Sequence, residues 1–399
     1  MTTRAEVAIS ENTPPANFNG AGINHLVQTP GGILYLIYIN PLVDVVFKKS
    51  LDGGVTWSHY TDVFAGSATA LSVWYDRWSG IAAGLIHCAY QESGSDDTLY
   101  RTINTESADA LSTQTTILTG TSTLAGGQLS ITRARGGNVY CRTCIDAGSE
   151  GGFFRLPNAN VPNGAWDAAR TINEALATQY QMILLPGWAA DNQDIMAFFW
   201  DASAEEISRQ LYDDSANSWS ETSIATSMTD QVATTAFPHF SAAVDIANSR
   251  NLLIAWSAVD ALNADLRCWH VTESAITEVT NVVQDSVDDQ GLCAISIDTN
   301  TEDWYVFYGG KSNGVETFPS TINVYFKASQ DDGSTWGAET LVTTGTYNLP
   351  SLFSVPRFAP FKAGTPPPVV LYNDFTIDRL LINTSLPMQA QAHYQIGLV

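Results

Sequence analysis

An all-β chain folded as a ring of short antiparallel sheets is predicted by three observations. Apolar runs are short and rich in Val, Ile, Tyr, Phe and Thr, and clusters of Gly, Asn, Asp and Ser interrupt them about every eight to twelve residues. Helical periodicity is nearly absent: even "DAARTINEALATQYQM", from Asp167, reads as a strand, a loop and a strand. A sharp turn followed by an apolar residue recurs at Trp57, Leu111, Trp166, Trp219, Ile276 and Trp336, at spacings of 54, 55, 53, 57 and 60 residues. A period of about 50 residues with four short strands in each is the pattern of propeller blades. The expectation is a seven-bladed β-propeller of four-stranded antiparallel blades, a single domain over residues 1–399. Six blades with the tail packed outside are the alternative.

The first period divides into strands A to D as "INHLVQT", "ILYLIYI", "VDVVFKKS" and "WSHYTDVF". The second gives "ALSVWYD", "GLIHCAY", "TLYRTIN" and "TQTTIL". The blades span about 22–64, 70–119, 127–173, 180–225, 237–284, 291–343 and 350–386. The last holds only three strand-like segments, "YNLPSLFSVPRFAP", "PPVVLYND" and "RLLINTSL". Its fourth strand is expected from the N-terminal "RAEVAIS", about 4–10, because pairing the two ends of the chain leaves no free sheet edge at the seam.

Composition narrows the partners. Lys and Arg number 18 against 41 Asp and Glu, a formal net charge of −23. Such a surface repels phosphate backbones, which excludes nucleic acid. "MTTRAEVAISENTPP" lacks a basic stretch followed by an apolar run, and no apolar stretch reaches membrane-spanning length, so neither a Sec signal nor membrane insertion is expected. Cys88, Cys141, Cys144, Cys268 and Cys293 are odd in number and sit mostly within strand-like runs. They read as small buried side chains rather than a disulfide framework. "CRTC", Cys141 to Cys144, has zinc-like spacing but no second pair, and on a strand its sulfurs point to opposite faces. The acid pairs Asp96 and Asp97, Asp213 and Asp214, and Asp288 and Asp289 read as solvated turns, so no metal and no cofactor is expected.

The turn motif carries a resemblance. "SLDGGVTW", with Ser50, Asp52, Gly54 and Trp57, and "SQDDGSTW", with Ser329, Asp331, Gly333 and Trp336, resemble the Asp box, or BNR repeat, of the sialidase-like β-propeller superfamily. "YDDSANSW" keeps Asp214 and Trp219 but has lost the Ser and Gly. The Asp carboxylate can accept bonds from turn amides, the Gly can take a positive φ and the Trp can wedge between strands, so the box is a fold signal. The resemblance implies that it joins strands C and D on the face away from the ligand. It also implies, for an active sialidase, three arginines gripping a substrate carboxylate, a Tyr and Glu nucleophilic pair and an acidic Asp. The stretch aligned with the first arginine motif, "FNGAGINHLVQ", contains no Arg. "FFRLP" with Arg155 falls in a C strand of the third blade, and "YNLPSL" with Tyr347 lacks a Glu partner. One guanidinium cannot orient a carboxylate as three do, so sialidase hydrolysis is not expected and no catalytic residue is assigned.

Loops B to C and D to A share the opposite face. The B strands end in Tyr38, Tyr90, Trp200, Trp256, Tyr308 and Tyr372, with Asp201 and Asp374 following, and the A strands add His25, His239 and Tyr347 near their starts. Aromatic faces beside carboxylates and amides suit sugar recognition, while an aromatic at one strand position in every blade equally suits packing between blades. The leading expectation is a non-catalytic glycan-binding or assembly propeller, a structural or host-attachment protein on the surface of a phage virion or other extracellular particle. Its partners would be a glycan or cell-surface polysaccharide and other proteins of the particle. The alternatives are a glycoside hydrolase or lyase acting on polysaccharide, with His25, His239 and Tyr347 as its base and acid set, and a purely structural scaffold.

Overall fold

Strands form where the apolar runs lie. The computed structural model describes residues 6–11, 25–76, 84–120, 124, 128–143, 152–172, 179–189, 191–201, 206–226, 240–256, 266–284, 291–310, 321–342, 347–348, 352–359, 369–373 and 379–383. In the first sheet Leu26–Gln28, Leu34–Ile39, Val45–Ser50 and Thr61–Phe64 pair in chain order, each antiparallel to the next. Every residue of Leu34–Ile39 is buried, as a strand covered on both faces requires, whereas the outer strand Thr61–Phe64 is half exposed and carries Thr and Asp. The same grading recurs in the fourth sheet, Gln179–Pro186, Ile195–Asp201, Glu206–Asp213 and Ser218–Ala225, whose last strand is largely exposed and rich in Ser and Thr. Polar outer strands blunt an otherwise open edge.

The architecture is an all-β propeller of small antiparallel sheets. The expectation of seven four-stranded blades is corrected, because six sheets carry four strands or more, the number in the six-bladed alternative. Among the described residues the third sheet has three, Leu129–Arg133, Val139–Thr143 and Phe153–Leu156. Among the described residues that follow, the Asp167 and Arg170 amides return to the Arg155 and Phe153 carbonyls, both at 2.8 Å. At the seam, Glu6–Glu11 pairs antiparallel with Arg379–Asn383, placing Val7 opposite Ile382 and Ala8 opposite Leu381. The N-terminal segment is thereby the outer strand of the sheet holding Leu352–Ser354 and Val369–Asn373, as the seam argument predicts.

Inner strands face the axis, where an unpaired edge would leave amides without acceptors. Serine hydroxyls supply them. Ser72 Oγ accepts from the Ile131 amide at 3.1 Å, Ser130 Oγ from Leu184 at 2.9 Å and Ser241 Oγ from Ile295 at 3.3 Å, each bond joining one sheet to the next. Phe358–Ala359 runs parallel to Ile297–Asp298, so the last sheet is tied to the sixth by backbone as well. Arg357, fully buried, donates from Nη1 to the Ala242 carbonyl at 2.6 Å, and burial lowers its pKa to about 10. A cavity of about 10 Å³ beside it, between Gln28, Trp74 and Tyr75, has room for one water.

The two box turns fold identically. Ser50 Oγ donates to Asp52 Oδ1 and accepts from the Gly54 amide, both at 2.8 Å, while Asp52 takes the Thr56 amide at 2.8 Å and hydroxyl at 2.6 Å. Ser329, Asp331, Gly333 and Thr335 repeat the set at 2.9, 2.9, 2.8 and 2.5 Å. Gly333 has φ +79°, and a Cβ there would lie 2.5 Å from a Trp304 ring carbon, so both backbone and space demand glycine. The tryptophans differ: Trp57 Nε1 donates to the Gly54 carbonyl of its own turn at 3.1 Å, whereas Trp336 Nε1 donates to the Thr280 carbonyl and Trp219 Nε1 to the Thr171 carbonyl, both at 2.8 Å and across to the preceding sheet. Cys88, Cys141, Cys268 and Cys293 are buried, and burial pushes the Cys88 thiol up to about 12. Cys144 lies outside the described residues.

Candidate functional site

The face carrying the B to C loops is built from strand ends that the sequence marks with aromatics. The structure places four of those rings inside the protein. Tyr38, Tyr90, Trp200 and Tyr308 are between 0% and 3% exposed. Tyr90 packs on Phe64 at 5.0 Å between ring centroids and donates its hydroxyl to Gln114 Oε1 at 3.1 Å. Tyr308 stacks on Tyr325 at 6.3 Å and donates to Glu339 Oε2 at 2.7 Å. Trp200 belongs to the cluster that includes Ile183, Phe198 and Trp269. A buried phenol packed on a neighbouring ring is a wall of the sheet stack, and burial holds the Tyr90 hydroxyl well above the usual phenol range.

His25 lies at the start of the first inner strand and is also buried. Its Nδ1 donates to the Ile37 carbonyl at 2.7 Å, which holds the ring in place. The backbones of Asp201, Trp256, Tyr347 and Tyr372 lie in strands, but their side chains fall outside the description. His239 and Asp374 lie outside the described residues altogether.

Two polar constructions on this face had no signal beyond turn composition. In the first, Asn40 Oδ1 accepts the Leu42 and Asp44 amides, both at 2.9 Å, and Asp44 Oδ1 takes the Gly66 amide at 2.8 Å. This Asx-type clamp lifts Leu42, 69% exposed, and Val43 onto the surface. Val43 sits at φ +61°, a left-handed conformation costly for a β-branched residue. In the second, Gln91 Oε1 accepts from the Thr69 hydroxyl at 2.9 Å and the Leu124 amide at 2.6 Å, while its Nε2 donates to the Asp96 carbonyl at 3.2 Å. Both are buried anchors whose amide oxygens are taken up by the loops they hold, with Asn40 4% and Gln91 0% exposed.

The opposite face holds a groove of about 380 Å³ at the outer end of the fourth sheet, lined among others by Asp194, Leu211, Asp213, Ser220 and Glu273. Burial pushes the Asp194 carboxyl up to about 6, and the charges of Asp191, Asp213 and Asp214 act in the same direction. Here the degenerate box differs from its intact copies. Asp214 no longer caps its own turn: its carboxylate receives Arg155 Nη1 at 2.8 Å and pairs with Arg170 at 3.0 Å, both from the preceding unit. Arg155 also bonds Asp167 at 2.6 Å, so this arginine staples two sheets and points away from the axis, as its C-strand position predicts. Among the described residues no group of three His, Cys, Asp or Glu is placed to hold a metal ion.

The sheet order defines the chain as a β-propeller, and comparison of the structure with solved ones agrees. A polysaccharide lyase, an ulvan lyase bound to -[GlcA(1-4)Rha3S]-, is similar to it with a TM-score of 0.55 at 11% identity, over 96% of each chain. A chain of the mitotic checkpoint complex is similar with a TM-score of 0.52 at 10% identity, over 96% of this chain and 95% of that one. Identities this low establish the fold alone. No protein-family model and no curated protein matches the sequence.

Proposed function

We propose that this chain is a non-catalytic carbohydrate-binding propeller of the sialidase-like superfamily, a single domain over its 399 residues. The observation that supports it most is the Asp-box turn, formed twice with one set of hydrogen bonds, in a fold shared over nearly its whole length with a saccharide-bound lyase. Sugar contact falls to the exposed turn at Leu42 and Val43 that Asn40 and Asp44 clamp, since four of the strand-end rings serve as walls. A sialidase-type grip is disfavoured because Arg133, Arg155, Arg170, Arg250 and Arg267 are each committed to structural carboxylates. The low share of charged residues, 15%, supports placing the protein among other proteins on the surface of a phage virion or similar particle.

A glycan array spanning neutral, sialylated and uronic polymers tests the binding role. The expected result is a saturable signal that weakens in Asn40→Ala. Absence of any signal, together with unchanged adsorption of particles lacking the protein, overturns it and leaves the scaffold. A polysaccharide lyase or hydrolase is the second reading, supported by the fold shared over 96% of each chain with a polysaccharide lyase. Reducing-end and unsaturated-uronate assays on the same polymers decide that case.

A further inference from the structure

The joint between the fifth and sixth sheets is closed by one charged cluster. Arg250, on the strand Arg250–Trp256, donates from Nε to Asp245 Oδ2 at 2.8 Å and from Nη2 to Asp332 Oδ1, and its guanidinium lies 5.6 Å from the centre of the Trp304 ring. Asp332 belongs to the intact box turn of the sixth sheet and stands at φ +64°. His270, on Leu266–Val271, meets Trp304 edge to face at 5.0 Å. Its Nδ1 lies 3.0 Å from Arg250 Nη1 and its Nε2 lies 3.9 Å from Asp332 Oδ1. A guanidinium has no acceptor, so the bond at Nδ1 forms only while that nitrogen holds a lone pair. The neutral ring is therefore part of the clamp.

We propose that His270 is an acid-sensitive latch: a proton taken up at Nδ1 breaks the bond to Arg250, sets two cations side by side, and loosens the box turn at Asp331 to Trp336 from the fifth sheet. The groups facing the ring are Arg250, Asp332 and Asp245, with Glu302 joined to Asp245 through Asn248. Burial foremost, then the Arg250 charge, hold the His270 pKa below its ordinary value, and the two aspartates act against them. Because the folded value is the lower one, the stabilisation is fully present above the unfolded value of about 6.5, declines as pH falls from there, and the clamp itself is lost as pH passes through the lower folded value. This inference rests on the fold and is independent of whether a glycan binds.

Hydrogen exchange of the whole chain, corrected for the intrinsic pH dependence of exchange, tests it. Protection of the 331–336 amides is expected to fall about ten-fold between about pH 7 and about pH 5, while the equivalent amides at 52–57, with no histidine in their clamp, change little. In His270→Gln, whose amide oxygen can still accept from Arg250 but does not titrate, the fall should vanish with the melting temperature at about pH 7 retained. Unchanged protection of 331–336 in the unsubstituted protein, or a fall of equal size in His270→Gln, overturns the latch. The first of these needs no variant to fold.

Discussion

Arg133 and Asp76, 57 residues apart, form a wholly buried ion pair of 2.5 Å between the third unit and the second. The guanidinium is completed by the Gly137 carbonyl at 2.9 Å and Asn158 Oδ1 at 3.0 Å. Two charges removed from water repay their desolvation only when both are present and fully bonded. Asp76→Ala is expected to destabilise the protein by about 3 to 5 kcal/mol, because it strands a buried cation. Replacing both together, as Asp76→Leu with Arg133→Met, should recover much of that loss in chemical denaturation. A double variant as unstable as Asp76→Ala would show that the pair itself, rather than the stranded charge, dominates.

His87 is fully buried next to this pair, sharing a 2.7 Å hydrogen bond between its Nδ1 and the Tyr100 hydroxyl. Burial first, and the Arg133 charge second, hold its pKa well below the ordinary histidine value. The unfolded chain takes up a proton near pH 6.5 that the folded one refuses, so stability should decline as pH falls below about 6.5, by up to about 1.4 kcal/mol per unit. The slope in urea-unfolding measurements should flatten in His87→Gln. An unaltered slope would assign the acid sensitivity elsewhere.

Ring closure predicts the behaviour of the N-terminus. Removing residues 1–12 deletes the outer strand Glu6–Glu11 and exposes the edge of Arg379–Asn383. A drop in melting temperature of at least about 4 °C and a rise in aggregation are expected, since a free edge recruits other chains. A truncated protein that melts like the full chain would mean the seam contributes nothing to the cooperative unit.

Gly333→Ala should cost more than about 1 kcal/mol, from the φ of +79° and from the approach to Trp304. The control is Gly32→Ala, at φ +82° with nothing within 4 Å, which carries the backbone strain without the steric contact. Equal losses in thermal unfolding would assign the whole effect to φ.

Trp200→Ala separates wall from ligand contact. With 3% exposure and the Ile183, Phe198 and Trp269 cluster around it, truncation should lose about 3 to 5 kcal/mol of stability. Glycan affinity measured below the unfolding transition should be unaltered. Affinity lost without stability would return this ring to the ligand face.

Strand positions, the period and the partner of the N-terminal segment were legible in the chain, because each rests on local rules. Val, Ile, Tyr and Phe runs between Gly and Asp turns specify strands, and Ser-x-Asp-x-Gly-x-Thr-Trp closes its turn with its own side chains. The pairing of the third sheet's outer segment was not legible: among the described residues the Asp167 and Arg170 amides alone return to the Arg155 and Phe153 carbonyls, a spacing set by tertiary placement that "WDAAR" does not encode locally. Nor could the strand-end aromatics be assigned, since side chains alternate faces with a period of two whether the outer face meets a ligand or a neighbouring sheet. The sheets' stacking decided that Tyr38, Tyr90, Trp200 and Tyr308 are walls. Asp76 with Arg133 and His270 with Arg250 and Asp332 were likewise fixed only by that stacking. Those residues are neighbours through the angle between sheets, a quantity to which no single strand's pattern is sensitive.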